Sequence, residues 1–183
     1  MKKIFALFAL MMVTVMGVKA QDLTDNYQRI YAGFNNFTLD GADDYLKGFG
    51  VGYAYGANIT GHNVPLFIEG GLEYAYVANS EIGDQKFHTL ALPFNLTYKI
   101  GNENFSVAPF IGETFRFGLS YEIAGLNMYD DGSDASRFTA HFNFGANITI
   151  AKHFNLGWRT MMSHSHIGSV KDWSNLFSVG YVF

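Results

Sequence analysis

The chain has 183 residues and no cysteine, which excludes a disulfide scaffold and a lipid anchor on cysteine. Its formal net charge of −4 includes Lys2, Lys3 and Lys19, so the chain without its first 20 residues carries −7. That acidity argues against nucleic acid as a partner, because phosphate binding needs a basic face.

At the start, Lys2 and Lys3 form a positive n-region and Ile4 to Val15 is almost wholly apolar. Val18-Lys19-Ala20 places small residues where a signal peptidase reads. The pattern predicts a cleaved signal peptide over residues 1–20 and one exported domain from Gln21 to Phe183. A retained anchor helix is the weaker reading, because the apolar run is short for a span of about 20 residues. No later stretch is apolar enough for a membrane helix.

From there the chain reads in twos. Ile30 to Leu39 is a weak first strand. In Phe49 to Ile59, bulky Phe49, Val51, Tyr53, Tyr55, Ala57 and Ile59 oppose small Gly50, Gly52, Ala54, Gly56 and Asn58. Leu66 to Tyr76 sets Leu66, Ile68, Leu72, Tyr74 and Tyr76 against Phe67, Glu69, Gly71 and Glu73. Leu90 to Ile100 and Phe105 to Tyr121 follow. Phe138 to Ile150 alternates strictly, a strand with one apolar and one polar face. Phe154 to Met162 and Trp173 to Phe183 complete eight candidate strands. Several exceed the usual strand of about 5–6 residues and match the roughly 9–11 that cross a bilayer at a tilt.

The connections alternate too. Gly61-His62-Asn63, Gly101-Asn102-Glu103-Asn104 and Ala151-Lys152-His153 are tight turns. Longer polar loops run at about 40–47, 79–86, 122–137 and 163–172. Bulky apolar faces, small or polar opposite faces and an even strand number predict an all-β fold. It is an eight-stranded antiparallel transmembrane β-barrel, wound as an up-and-down meander and closed so that no strand edge meets hydrocarbon. Short turns on the periplasmic side would put both termini there, in the outer membrane of a Gram-negative bacterium. Tyr98, Phe105, Trp158 and Tyr181 then fall near the inner aromatic girdle, and Tyr74, Tyr76, Tyr121 and Trp173 near the outer one.

Glu69, Glu73, Lys99, Arg116, His141 and Arg159 share the inward parity. An eight-stranded interior is just wide enough for side chains, so these predict a charge-paired plug in a filled lumen. The competing reading is a conductive or proton-linked path, with Glu69 and Glu73 as an acid–base pair. Glu113 falls on the lipid-facing parity, and a β-bulge near Gly112 is expected to turn it inward. Asp130, Asp131 and Asp134 lack the calcium-loop spacing and read as a solvated acidic loop. Neither a metal site nor a cofactor is expected.

The final run, Phe177-Ser178-Val179-Gly180-Tyr181-Val182-Phe183, resembles the terminal signal read by the barrel-assembly machinery, with Phe177, Val179, Gly180, Tyr181 and Phe183 carrying it. The chain as a whole resembles the small outer-membrane β-barrel family of Bacteroides-type bacteria, with the architecture of OmpX and the OmpA barrel. Pro109 to Phe117 is similar to that family's mid-chain strand. The eight alternating segments, the loop asymmetry and the terminal Phe183 predict a monomer in contact with outer-membrane lipid and lipopolysaccharide, with a structural or recognition role exerted through external loops and an unidentified extracellular ligand or protein partner. Ser163-His164-Ser165-His166 raises one enzymatic alternative. Lipid A deacylase barrels carry a His-x-Ser pair and a later acidic residue on a late strand. Here His166 stands at the serine's place and no Glu follows, so His164, Ser165 and His166 read as a solvated loop rather than a catalytic site. A narrow pore is the remaining alternative.

Overall fold

A chain that presents bulky apolar residues outward can hide its amides only by pairing every strand on both sides. The computed structural model does this; it describes residues 23–39, 46–61, 64–79, 84–129, 137–164 and 172–183. Eight long strands form the wall. They are β1 (Tyr27–Leu39), β2 (Leu46–Asn58), β3 (Leu66–Asn79), β4 (Gln85–Tyr98), β6 (Phe105–Ile123), β8 (Phe138–Ile150), β9 (Phe154–Ser163) and β10 (Asp172–Val182). Two short pieces, β5 (Ile100–Gly101) and β7 (Leu126–Asn127), both pair with β6.

Each long strand pairs antiparallel with its neighbour in the chain, and β1 pairs with β10, which closes the ring. The register fixes the slant. One circuit of paired residues runs Gln28, Tyr55, Gly70, Phe94, Glu113, Phe142, Met162, Trp173 and Thr38. It returns to β1 at Thr38, ten residues beyond Gln28. With a rise of about 3.3 Å per residue and roughly 4.8 Å between strands, that stagger tilts the strands by about 40°. Closure and tilt match the predicted barrel.

The outward face is apolar and open: Phe94, Ile111, Phe138, Trp173, Phe177 and Val179 are among its exposed residues. Ala151 and Lys152 turn β8 into β9 with φ of +50° and +69°, a left-handed pair without glycine. The ladder departs from regularity between β4 and β6. His88 faces Ser120 but Thr89 faces Gly118, so Leu119 is an extra residue, a β-bulge.

Several boundaries differ from the sequence reading. β1 begins at Tyr27, and β2 ends at Asn58, before Ile59. β4 reaches back to Gln85, through residues read as loop, and breaks at Lys99 before Ile100. The bulge at Leu119 shifts the alternation, so Tyr121 joins Phe87 on the inner side, their rings 5.4 Å apart, instead of joining the outer girdle. Within the predicted loop 122–137, β7 forms a hairpin on the end of β6. Residues 1–20, Asp130, Asp131, Asp134, Ser165 and His166 lie outside the described residues.

Candidate functional site

Glu69, Glu73, Lys99, Arg116, His141 and Arg159 are all buried inside the barrel. They do not form one cluster but three levels, each completed by residues the sequence reading did not select. At the short-turn end, Tyr27, Phe67 and Val182 pack together across the lumen. Lys99 Nζ lies 3.8 Å above the Tyr27 ring and 4.5 Å from that of Phe67. A cation on aromatic faces is attracted by their quadrupoles, which holds this ammonium over the two rings.

The middle level holds two ion pairs. Arg29 Nη2 donates to Glu69 Oε1 at 3.0 Å, and the Tyr27 hydroxyl donates to Glu69 Oε2 at 2.8 Å. Arg29 Nη1 donates to Asn147 and to Asn155, the latter at 3.1 Å. Next to it, Arg159 Nη2 donates to both Glu73 oxygens at 2.6 and 2.7 Å, and the Tyr31 hydroxyl donates to Glu73 at 2.8 Å. Charge-assisted bonds of this kind are the strong ones, and burial raises the cost of losing a partner. Glycines make the room. A Cβ on Gly56 would lie 2.3 Å from the Tyr27 ring, and one on Gly52 would lie 2.5 Å from that of Tyr31. Each tyrosine therefore reaches its glutamate through space that a side chain on the neighbouring strand would fill.

At the long-loop end, Arg116 donates to Asp172 at 2.8 Å and to Ser174 at 3.0 Å. His141 Nε2 meets both Asp172 oxygens at 2.8 and 2.9 Å. The Asp172 amide donates to Ser163 Oγ at 2.9 Å. Serine, aspartate and histidine thus meet: His141 and Ser163 are paired across β8 and β9, and Asp172 engages both, His141 through its carboxylate and Ser163 through its backbone amide. A nucleophilic serine needs a hydrogen bond to its base, and among the described residues the bonds of His141 Nε2 and Ser163 Oγ both go to Asp172, which is not the arrangement of a hydrolytic triad. Above it Phe37, Leu46 and Val77 close the bore with Phe87. Tyr129, beyond β7, folds back until its hydroxyl would lie 1.9 Å from a Cβ on Gly118, and Arg137 stacks on its ring. Burial lifts the Tyr129 phenol above its ordinary pKa.

Sequence reasoning missed Tyr27 and Arg29 because it began the first strand at Ile30. The signal was present in the alternation Tyr27, Arg29, Tyr31, Gly33, Asn35, which continues the inward parity. It likewise left Ser163 and Asp172 in a loop, although they end β9 and begin β10.

Glu113 corrects the expectation. No bulge forms at Gly112: the ladder runs regularly there, with Glu113 opposite Phe94 and Phe142, and the bulge lies seven residues beyond Gly112, at Leu119. The side chain stays outward, 44% exposed, and accepts a contact from His164 Nε2 at 2.9 Å. His164, just beyond β9, also packs edge-on against Phe142 at 6.1 Å. It lies outside the strand and is exposed, as expected of a solvated loop, but it has these two partners.

The terminal residues sit in β10 and just past it. Phe177, Val179 and Tyr181 face outward opposite β1. A Cβ on Gly180 would lie 2.5 Å from the Ile30 carbonyl oxygen. The Phe183 amide donates to the Gln28 carbonyl at 2.9 Å, and its ring meets Tyr181 at 5.2 Å. Among the described residues, no group of three or more His, Cys, Asp or Glu is arranged to hold a metal ion.

Solved structures share this architecture at low identity. Ail, the attachment invasion locus protein of Yersinia pestis, solved with the heparin analogue sucrose octasulfate, is 18% identical with a TM-score of 0.55; the match covers 87% of this chain and 99% of that one. Neisserial surface protein A is 14% identical with a TM-score of 0.58, covering 86% and 95%. The outer-membrane enzyme PagL is 14% identical with a TM-score of 0.55, covering 85% and 98%. At these identities the likeness is one of fold. No curated protein matches the chain by sequence. The model of the outer membrane protein beta-barrel domain matches residues 5–183, and the chain, a small barrel of the Gram-negative outer membrane, belongs to that family.

Proposed function

We propose that this protein is a monomeric, non-conducting barrel whose role is structural or recognitional and is exerted through its long loops. The carrying observation is the filling of the bore at three levels, from Lys99 over Tyr27 and Phe67 to Arg116 with Asp172 and His141. A filled bore supports this reading over a pore and leaves the loop end and the lipid-facing wall as working surfaces. On this reading residues 1–20 are removed on export and both termini face the periplasm. The strand ending at Phe183 is read by the barrel-assembly machinery, and lipopolysaccharide packs against the outer leaflet half of the wall. The extracellular partner is a protein or envelope polymer. Deleting residues 130–136 or 165–171 tests it: binding to cell-surface material should disappear while the unboiled protein still migrates as a folded barrel on a detergent gel. Binding that survives both deletions refutes a loop-borne role.

The Glu113–His164 contact favours a second reading, hydrolysis of an acyl ester in an outer-leaflet lipid such as lipid A. The sequence offered no acid after the histidines; the fold supplies one from β6. A carboxylate on Nε2 orients an imidazole and leaves Nδ1 to take a proton from water, which attacks the ester to give a free fatty acid and an alcohol. A charge facing lipid is costly, and one retained there marks a candidate site. Mass spectrometry of lipid A from cells with the wild-type protein or with His164→Ala tests it. Loss of an acyl chain only with the intact histidine supports the reading, and identical spectra remove it.

A further inference from the structure

The middle level of the lumen contains a small cavity whose wall includes Arg29, Tyr31, Asn95, Asn147, Arg159 and Ser178. It gives about 20 Å³ to the centre of a water-sized molecule. One water needs about 10–15 Å³ by this measure, and two to four polar partners. Three atoms on wall residues have no hydrogen-bond partner among the described residues: Arg29 Nε, Arg159 Nε and Asn95 Oδ1. All three residues are more than nine-tenths buried, at 7%, 6% and 5% exposed. The other contacts of these side chains are already taken by Glu69, Asn147 and Asn155 for Arg29, by Glu73 for Arg159, and by Glu69 for Asn95 Nδ2. Buried donors and acceptors left unmatched are costly, so such atoms call for a partner.

We infer that this cavity binds one water molecule, which accepts from Arg29 Nε and Arg159 Nε and donates to Asn95 Oδ1. Two guanidinium groups would ordinarily suggest a halide, but two observations exclude it. Each guanidinium has its own carboxylate, so the level carries no excess positive charge. The Asn95 amide is also oriented: its Nδ2 donates to Glu69 at 3.1 Å, which turns the oxygen, not the nitrogen, to the remaining partner. An anion would meet an acceptor, and a cation would meet two guanidinium groups. Water alone accepts twice and donates once. The molecule joins the Arg29–Glu69 and Arg159–Glu73 pairs, on β1, β3 and β9, into one network across the bore. Gly112 on the opposite strand leaves room for the Asn95 oxygen, since a Cβ there would lie 2.7 Å from it.

The test is a crystal structure of the mature protein in detergent, at a resolution that shows ordered water, with chloride replaced by bromide. The expected result is one density peak within hydrogen-bond reach of all three atoms and no anomalous signal from bromine. A bromine peak would make it an anion site, and an unfilled cavity would remove the site; either overturns the inference. An Asn95→Leu variant, which keeps both ion pairs, should lose the peak, and a peak unchanged in that variant also refutes the assignment. The wild-type crystals decide the question even if the variant does not fold.

Discussion

Replacing Glu73 by glutamine keeps its shape and removes its charge. In the folded barrel this side chain is 1% exposed and accepts two bonds from Arg159 and one from Tyr31. The variant leaves the Arg159 guanidinium buried without its counter-charge, and breaking a buried pair in this way costs about 3–5 kcal/mol. Tyr31→Phe removes a single bond to a charged group and should cost about 1.5–3 kcal/mol. The double variant Glu73→Leu, Arg159→Met removes both charges together. It should recover most of the loss, because apolar replacement of a whole buried pair is often neutral. Urea unfolding in lipid vesicles measures these changes through the fluorescence of Trp158 and Trp173, the chain's two tryptophans. Boiled and unboiled samples on a detergent gel give a second readout. A Glu73→Gln barrel within about 0.5 kcal/mol of wild type, a change typical of surface positions, would refute the claim that the lumen network holds the wall together.

Three further outcomes follow from single positions. Gly52→Val should cost about 1–3 kcal/mol by driving the Tyr31 ring off Glu73, and the cost should shrink in a Tyr31→Ala background; equal costs in both backgrounds would reject the fitted packing. Ala151→Asn with Lys152→Gly should stabilise the β8–β9 turn by about 1 kcal/mol per position, because both backbones are left-handed; urea midpoints check it. The raised pKa of Tyr129 means that its half-buried phenol contributes stability below the ordinary phenol range. That contribution is lost as pH rises through the elevated value. Ultraviolet titration should lose one late-ionising tyrosine in Tyr129→Phe relative to wild type, and an unchanged curve would contradict the docking of Tyr129 over Gly118.

The architecture was legible because hydrocarbon enforces a simple rule on every strand. Alternation in Phe138 to Ile150 and Phe49 to Ile59 marks one face for lipid and one for the bore, and the wall follows that alternation. The inward parity of Glu69, Glu73 and Arg159 could be read in the same way, but their partners could not. Pairing Glu73 with Arg159, 86 residues apart, depends on shear, which emerges only when the ring closes. Period two also fails wherever a bulge adds a residue. It was expected at Gly112 and occurs at Leu119, which leaves Glu113 outward and carries Tyr121 inward. The Glu113–His164 contact spans β6 and the end of β9, with Phe142 of β8 between them, a neighbourhood no local motif encodes.

The filling of the bore is the central claim, and planar-bilayer recording of the purified wild-type protein tests it most directly. The three occupied levels predict a flat current at any applied voltage, while discrete conductance steps that change with Arg116→Ala or Glu73→Gln would contradict the account.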